Sequence, residues 1–107
     1  MTQTLLRPQA ETDLIERTRH YRREGGDDLG ERFFDAAALA LAAIGRMPGA
    51  GSPRWGELCG IEGLRVRRVL GFPCGWFYFA RDDRIDIVRL VAGAQDIAAV
   101  LADIEHE

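Results

Sequence analysis

The chain has 107 residues and a mass of 11.9 kDa, which is enough for one domain and too little for a large multidomain enzyme. Hydrophobic residues make up 47% of the chain and charged residues 29%, as in ordinary globular proteins, and no apolar run reaches the roughly 20 residues of a membrane span. The net charge of -3 and the pI of about 5.4 argue against a protein that binds mainly by neutralising many phosphates. We therefore expect a single domain over residues 1–107.

The reactive side chains are few and widely spaced. All basic residues are arginine, so lysine Schiff-base chemistry is excluded, and Arg54 stands where a Gly-x-Ser-x-Gly nucleophile elbow around Ser52 would need glycine. Cys59 and Cys74 are 15 residues apart and the two histidines lie near opposite ends, which predicts reduced thiols, no metal site and no cofactor. The first residues lack the basic start and long apolar stretch of a signal peptide, so we expect a cytoplasmic protein.

The first half of the chain predicts one strand and two helices. Thr4 to Arg7 is a short apolar segment stopped by proline, which is typical of an edge strand. From Gln9, apolar residues recur at helical spacing with charged residues between them, and Gly25-Gly26 ends this helix. A second helix over about residues 28–46 completes a predicted helical hairpin.

The second helix begins amphipathic and becomes apolar on all sides between Ala36 and Ile44. A helix that is apolar all round is usually covered on more than one side, which in a small chain suggests a partner protein. Alternatively, alanine is tolerated on wet helix faces, and only Leu39, Leu41 and Ile44 need burial. The sequence favours neither interpretation.

Glycine and proline residues predict a loop from Gly45 to about Gly63, and a sheet follows it. Short turns imply an antiparallel meander, whose strands are predicted at Leu64–Leu70, Gly75–Arg81 and Arg84–Val91. Alternation in the middle strand places Trp76 and Tyr78 on one face and Phe77 and Phe79 on the other. Residues 95–104 show helical spacing and predict a short final helix.

This order of elements, with these residues, resembles the ParE branch of the RelE/ParE toxin superfamily, found in plasmid-stabilisation toxin-antitoxin systems. The resemblance covers nearly the whole chain. It depends on the order and spacing of several short segments: Leu6 to Leu14, Arg32-Phe33-Phe34-Asp35-Ala36, Met47-Pro48 with Gly51, Gly63-Leu64-Arg65, Phe79 with Arg81, and Ile87 to Asp96.

The resemblance implies an α+β fold in which a helical hairpin packs on a twisted antiparallel sheet of about four strands, the first strand lying beside the meander. It also implies a toxin neutralised by a ParD-like antitoxin protein, which wraps a segment over the apolar second helix. ParE-type members are generally described as inhibitors of DNA gyrase without a recognised active site, whereas RelE-type members cut messenger RNA on the ribosome.

Three positions favour the gyrase inhibitor over the ribonuclease. The family pattern Val-Leu-His-Gly-Ala-Arg-Asp reads Leu90 to Asp96 here, with Ala92 in place of histidine and Gln95 in place of arginine. A family Phe-Tyr-Arg has Ala80 in place of tyrosine. Because proton-bearing side chains are missing, we predict no catalytic residue and no enzyme activity. A ribosome-dependent ribonuclease and an inactive homologue that only binds antitoxin remain the alternatives.

The candidate binding residues follow from this resemblance and from the local excess of arginine, seven against four acids over residues 46–84. Guanidinium groups bind carboxylates and phosphates through paired hydrogen bonds. Alternatively, each arginine pairs with a neighbouring acid, among them Asp82, Asp83, Asp86 and Asp96, as surface charge. We predict antitoxin contacts at Phe33, Leu39, Leu41, Arg65, Arg67 and Arg81, and target contacts at Arg68, Arg89 and Trp76.

Overall fold

The computed structural model describes residues 3–92 and 97–104 and confirms the predicted α+β class. The elements in chain order are β1 (Gln3–Leu6), α1 (Pro8–Arg46), a 3-10 turn (Pro48–Ala50), α2 (Arg54–Cys59), β2 (Leu64–Arg68), β3 (Cys74–Ala80), β4 (Arg84–Ala92) and α3 (Ile97–Ile104). Within these described residues, no helix combines the length and apolar character that a membrane span requires. The predicted start of the last helix at residues 95–96 lies outside the described residues.

The helix α1 is a hairpin with two arms. Only Gly25 (φ -139°, ψ 17°) and Gly26 (φ 82°, ψ -179°) leave the helical conformation, and they separate a first arm, residues 8–24, from a second arm, residues 27–46. A straight helix of 39 residues would span about 58 Å, yet the longest dimension of the molecule is 38 Å. The arms fold back on each other, since the rings of Tyr21 and Phe33 lie 4.9 Å apart. The predicted hairpin is confirmed.

The sheet has the strand order β1-β4-β3-β2. The antiparallel pairs β2–β3 and β3–β4 confirm the meander, and β1 is an edge strand as predicted. However, β1 runs parallel to β4, from Gln3 opposite Arg84 to Leu6 opposite Ile87, so the expectation of a wholly antiparallel sheet is wrong. The helical hairpin lies between these strands in the sequence, so no tight turn imposes opposite directions on them.

Each face of the sheet covers its own apolar cluster. Trp76 and Tyr78 face α1, and Phe77 and Phe79 face the opposite side with α3, which confirms the predicted alternation. A bulge in β4 leaves Val88 without a partner between the pairs Phe77–Arg89 and Tyr78–Ile87. The extra residue shifts the alternation of the strand by one, so Leu90 shares a face with Ile85 and Ile87, and Val91 shares the opposite face with Val88.

The segment predicted as a loop up to about Gly63 contains a short helix, α2, so that prediction is wrong in part. The helix ends at Gly60, which has a left-handed conformation with φ of 71°. Gly56 lies inside it, and an added Cβ there would come within 2.7 Å of the Ile61 and Leu64 carbonyl oxygens. The helix therefore depends on the close approach of Gly56 to the backbone of Ile61 and Leu64, and no apolar repeat in the sequence predicts it.

Candidate functional site

An open groove of about 420 Å³ runs between the second arm of α1 and the edge strand β2. Its walls combine small apolar, large apolar and basic side chains: Ala36, Leu39, Ala40, Ala43, Arg46, Arg67, Arg68 and Leu70. We call this the α1–β2 groove. Leu39 is 70% exposed and Leu70 is 86% exposed, so two large apolar side chains face solvent at this site. Such surface is typical of a protein interaction site.

The groove follows from the helical repeat of the second arm. Ala36, Leu39, Ala40 and Ala43 recur at intervals of three and four residues, so they form one stripe along the helix. The neighbouring stripe, with Phe33, Ala37 and Ile44, is buried against the sheet. The three alanines of this stripe are buried or half-buried, and their small side chains leave a shallow trough between the helix and β2. The side chains of β2 and the following turn form its second wall.

The groove carries an excess of positive charge. Arg46, Arg67 and Arg68 line it, and no carboxylate is among its lining residues. None of these three guanidinium groups has a carboxylate partner within 4 Å among residues 3–92 and 97–104. The site thus offers exposed leucines and unpaired arginines side by side, which complements an acidic amphipathic segment.

The groove brings together three of the predicted binding residues. Leu39 and Arg67, predicted for the antitoxin, and Arg68, predicted for the target, all line it. Leu41 is half-buried on another face of the helix and packs against the core. Arg46 and Leu70 were not predicted, although the spacing of Arg46 from Ala43 and Leu39 places all three on one helix stripe.

Phe33 and Trp76 are core residues, so the prediction of a partner surface at these two side chains is wrong. Both have 0% relative exposure. The ring of Phe33 lies edge-on to that of Phe72 at 5.1 Å, which joins the helical hairpin to the β2–β3 turn. The indole Nε1 of Trp76 donates a hydrogen bond of 3.1 Å to the carbonyl oxygen of Ala37. These large rings fill the layer between sheet and hairpin.

Arg65 binds the chain's own backbone. Its Nη1 donates to the carbonyl oxygen of Gly51 at 2.6 Å, and the hydroxyl of Tyr78 donates to the carbonyl oxygen of Pro48 at 2.6 Å. The same hydroxyl accepts from the Gly51 amide at 3.1 Å. Burial raises the pKa of Tyr78, partly offset by the hydrogen bond with Gly51 and by the charges of Arg65 and Arg67. This cluster anchors the 3-10 turn to the sheet, so Arg65 has a structural role.

Arg81 and Arg89 also have partners within the fold. Arg81 Nη2 lies 3.2 Å from Asp86 Oδ2, as the surface-charge interpretation anticipated, and its guanidinium lies 4.7 Å from the Phe79 ring centre. Arg89 Nε lies 2.8 Å from Oδ2 of Asp13 on the first arm, an acid that the sequence pattern does not single out. The same Asp13 oxygen accepts from the backbone amide of Leu90 at 3.0 Å. Both arginines therefore join secondary-structure elements.

Asp86 also accepts two hydrogen bonds from Arg7: Nε donates to Oδ1 at 3.0 Å and Nη2 donates to Oδ2 at 2.9 Å. Burial alone would raise the pKa of Asp86, but hydrogen bonds and charge from Arg7 and Arg81 outweigh it and leave the pKa below its usual value of 3.8. The carboxylate stays ionised at neutral pH and links β4 to the residues that directly follow β1 and β3.

A second cavity of about 460 Å³ lies on the other sheet face, next to α2 and the start of α3. Arg54, Trp55 and Arg68 line it, together with Cys74. Burial raises the pKa of Cys74 to about 11, so its thiol stays protonated at neutral pH and is a poor nucleophile. In the described part of the chain, no three histidine, cysteine or acidic side chains are grouped to hold a metal ion.

The fold is ParE-like. No protein-family model matches the chain, and no curated protein matches it. Among solved structures, a chain described as "Chromosomal ParDE TA system from P. aeruginosa" is similar with a TM-score of 0.75 at 18% sequence identity. The similarity covers 87% of this chain and 97% of that chain, so it includes nearly all of the architecture described above.

Proposed function

We propose that this chain is the toxin of a type II toxin-antitoxin pair and that a ParD-like antitoxin neutralises it by occupying the α1–β2 groove. The proposal depends chiefly on one observation: on a ParE-like fold, the α1–β2 groove places two exposed leucines beside three arginines that have no carboxylate partner among the described residues. The similar solved structure is itself described as a ParDE toxin-antitoxin system.

The composition of the groove specifies the antitoxin segment. Leu39 and Leu70 would pack against apolar side chains spaced along an amphipathic helix. Arg46, Arg67 and Arg68 would pair with acidic residues on the edges of that helix. Burial of the two leucines would supply most of the affinity, and the charge pairs would orient the segment and speed association.

For the free toxin we propose a non-catalytic action on DNA gyrase in the cytoplasm. The sequence lacks the histidine, tyrosine and arginine of the family pattern at positions 92, 80 and 95. Tyr78 is buried and hydrogen-bonded to the backbone, and the Cys74 thiol has a raised pKa. Binding and trapping of gyrase needs no general base, so this action is compatible with the side chains that are present.

The first test adds purified, folded protein to DNA gyrase and relaxed plasmid. We expect inhibited supercoiling and an accumulation of covalent gyrase–DNA cleavage complexes, both reversed by an excess of a ParD-like antitoxin that rescues growth in co-expression. Folded protein that leaves supercoiling unchanged would contradict the gyrase proposal. Ribosome-dependent cleavage of messenger RNA by the same sample would then assign the ribonuclease alternative.

A further inference from the structure

The helical hairpin has the geometry of a hinge between two exchangeable parts of the chain. The residues before the hinge, 3–24, comprise β1 and the first arm of α1, and we call them the exchange unit. Residues 27–92 comprise the second arm and the other three strands. Only Gly25 and Gly26 depart from helical geometry between the two parts.

The two parts are joined by three kinds of contact: strand pairing, ion pairs and contacts between aromatic rings. β1 pairs with β4, and Arg7 binds Asp86 through both carboxylate oxygens at 3.0 and 2.9 Å. Asp13 binds Arg89 at 2.8 Å, and the ring of Tyr21 contacts those of Phe33 and Phe72. Each of these contacts joins the exchange unit to residues beyond the hinge, so a second copy of the chain can form the same contacts with this copy.

The hinge itself decides which copy supplies the unit. Gly26 has φ of 82° and ψ of -179°, a region of backbone space that is essentially restricted to glycine. Both flanking residues are already helical, so a helical conformation at two residues would convert the hairpin into one straight helix. The exchange unit would then be displaced by the length of its arm, about 25 Å, and could no longer reach its own β4.

We propose that residues 3–24 exchange between two copies of this chain when the hinge straightens, giving a domain-swapped dimer, and that Gly25 and Gly26 keep the chain in its closed monomeric form. A swap costs little when every native contact is re-formed and only the hinge changes. All residues that line the α1–β2 groove lie beyond the hinge, so the dimer would present two intact grooves.

The test replaces both hinge glycines in the double variant Gly25→Ala/Gly26→Ala, because alanine favours the helix and disfavours the closed turn. We expect its mass by light scattering to double relative to the wild-type chain. The matched control is Gly71→Ala. Gly71 also has a positive φ, 85°, and, like Gly26, has open space where an added Cβ would lie, but it belongs to the β2–β3 turn. The control should remain monomeric.

A cysteine pair distinguishes a swap from ordinary association. Gln3 and Arg84 are partners in the β1–β4 pair, and adjacent strands lie about 4.8 Å apart, within reach of a disulfide. After oxidation with glutathione disulfide, Gln3→Cys/Arg84→Cys should give a covalent monomer in the wild-type hinge and a covalent dimer in the alanine hinge. A monomeric alanine variant, or a dimer whose disulfide is intramolecular, would overturn the proposal.

If the alanine variant fails to fold, refolding of the cysteine-pair protein with its native glycines tests the domain swap. Dilute refolding should give intramolecular disulfides, and concentrated refolding should raise the share of covalent dimers, since the second copy then competes for β4. An unchanged share across concentrations would overturn the proposal. The parent chain without added cysteines controls for Cys59 and Cys74.

Discussion

At the scale of single residues, several side chains that the sequence marks as binding groups have contacts that hold the fold together, and their binding roles stay predictions. Arg65, Arg81 and Arg89 each join an element to another through a hydrogen bond or ion pair. Two acids form the ion pairs: Asp86 with Arg7 and Arg81, and Asp13 with Arg89. The stability of the fold should therefore depend on carboxylates that remain ionised, and this can be measured.

We expect Asp86→Asn to lower the free energy of unfolding by about 2 kcal/mol at pH 7, because the paired charged hydrogen bonds from Arg7 become neutral. The pKa of Asp86 lies below its usual value of 3.8, so the ionised form stabilises the fold above that pH and this contribution is lost as the pH falls further. The difference between variant and wild type, measured by urea unfolding, should shrink below pH 3.8.

The control for this pair is Asp83→Asn, because Asp83 is 77% exposed and binds Arg84 at the surface. Its effect should be small at every pH, as for other exposed ion pairs. A difference for Asp86→Asn that stays constant between pH 7 and acid pH would show that the charge of Asp86 is not the stabilising feature.

Tyr78→Phe tests the anchor of the 3-10 turn. The change removes the hydroxyl that donates to Pro48 and leaves the buried Gly51 amide without its acceptor, so we expect a loss of about 1 to 3 kcal/mol. Tyr21→Phe is the matched control, since the Tyr21 hydroxyl has no hydrogen bond among the residues described. Guanidinium unfolding of both variants gives the comparison. Equal effects would contradict the anchoring role.

At the scale of elements, the second arm of α1 has an apolar sequence on all sides, and its faces differ in burial. One stripe is buried against the sheet and another, with Leu39, lines the open groove. The alanine interpretation is confirmed in part, since Ala38 and Ala42 face solvent, but Leu39 is 70% exposed and not buried as it required. The cover by a partner protein stays a prediction. The helix could therefore be predicted from its repeat, whereas the burial of each of its faces depends on the elements packed against it.

Leu39→Glu should weaken binding of a neutralising ParD-like antitoxin at least tenfold, because it places a carboxylate in the apolar part of the groove. The isolated chain should keep its circular-dichroism spectrum and unfolding midpoint, since Leu39 is 70% exposed. Leu58→Glu is a matched control, because Leu58 is 67% exposed and lies on α2 outside the groove. Isothermal titration calorimetry gives both affinities.

Three results would contradict the groove assignment. The first is an equal loss of antitoxin affinity in Leu39→Glu and Leu58→Glu, which would indicate a nonspecific effect of added charge. The second is a loss of the folded spectrum in Leu39→Glu alone, which would place Leu39 in the core. Unchanged affinity in both variants would move the antitoxin to another surface.

For the whole molecule, the order of the strands and of the longer helices could be predicted because each of them carries its own repeat, bounded by glycine or proline. The short helix α2 carries no such repeat and was not predicted. The positions of individual side chains could not be predicted in the same way. Asp13 and Arg89 are 76 residues apart, and Trp76 meets Ala37 across a distance of 39 residues. Such contacts depend on how the hairpin packs on the sheet, which no local pattern specifies. Both walls of the groove contain predicted residues, Leu39 on the helix and Arg67 and Arg68 on β2, whereas Arg46 and Leu70 were not predicted.

The distribution of charge over the whole molecule leads to a kinetic prediction. The chain has a net charge of -3, yet Arg46, Arg67 and Arg68 concentrate positive charge along one groove. An acidic antitoxin segment would be repelled by most of the surface and attracted to this groove, so local charge should govern the association rate. We expect Arg67→Glu to lower that rate about tenfold at low salt, and less at high salt because ions screen the interaction.

Arg19→Glu makes the same change in net charge on the exposed side of the first arm, and Arg19 does not line the groove. If net charge alone controlled association, the two variants would slow it equally in stopped-flow measurements. If the groove receives the antitoxin, Arg67→Glu should be slower than Arg19→Glu at low salt, and the two rates should converge as salt is added. The dissociation rate should change less than the association rate, since the two exposed leucines would supply most of the buried contact.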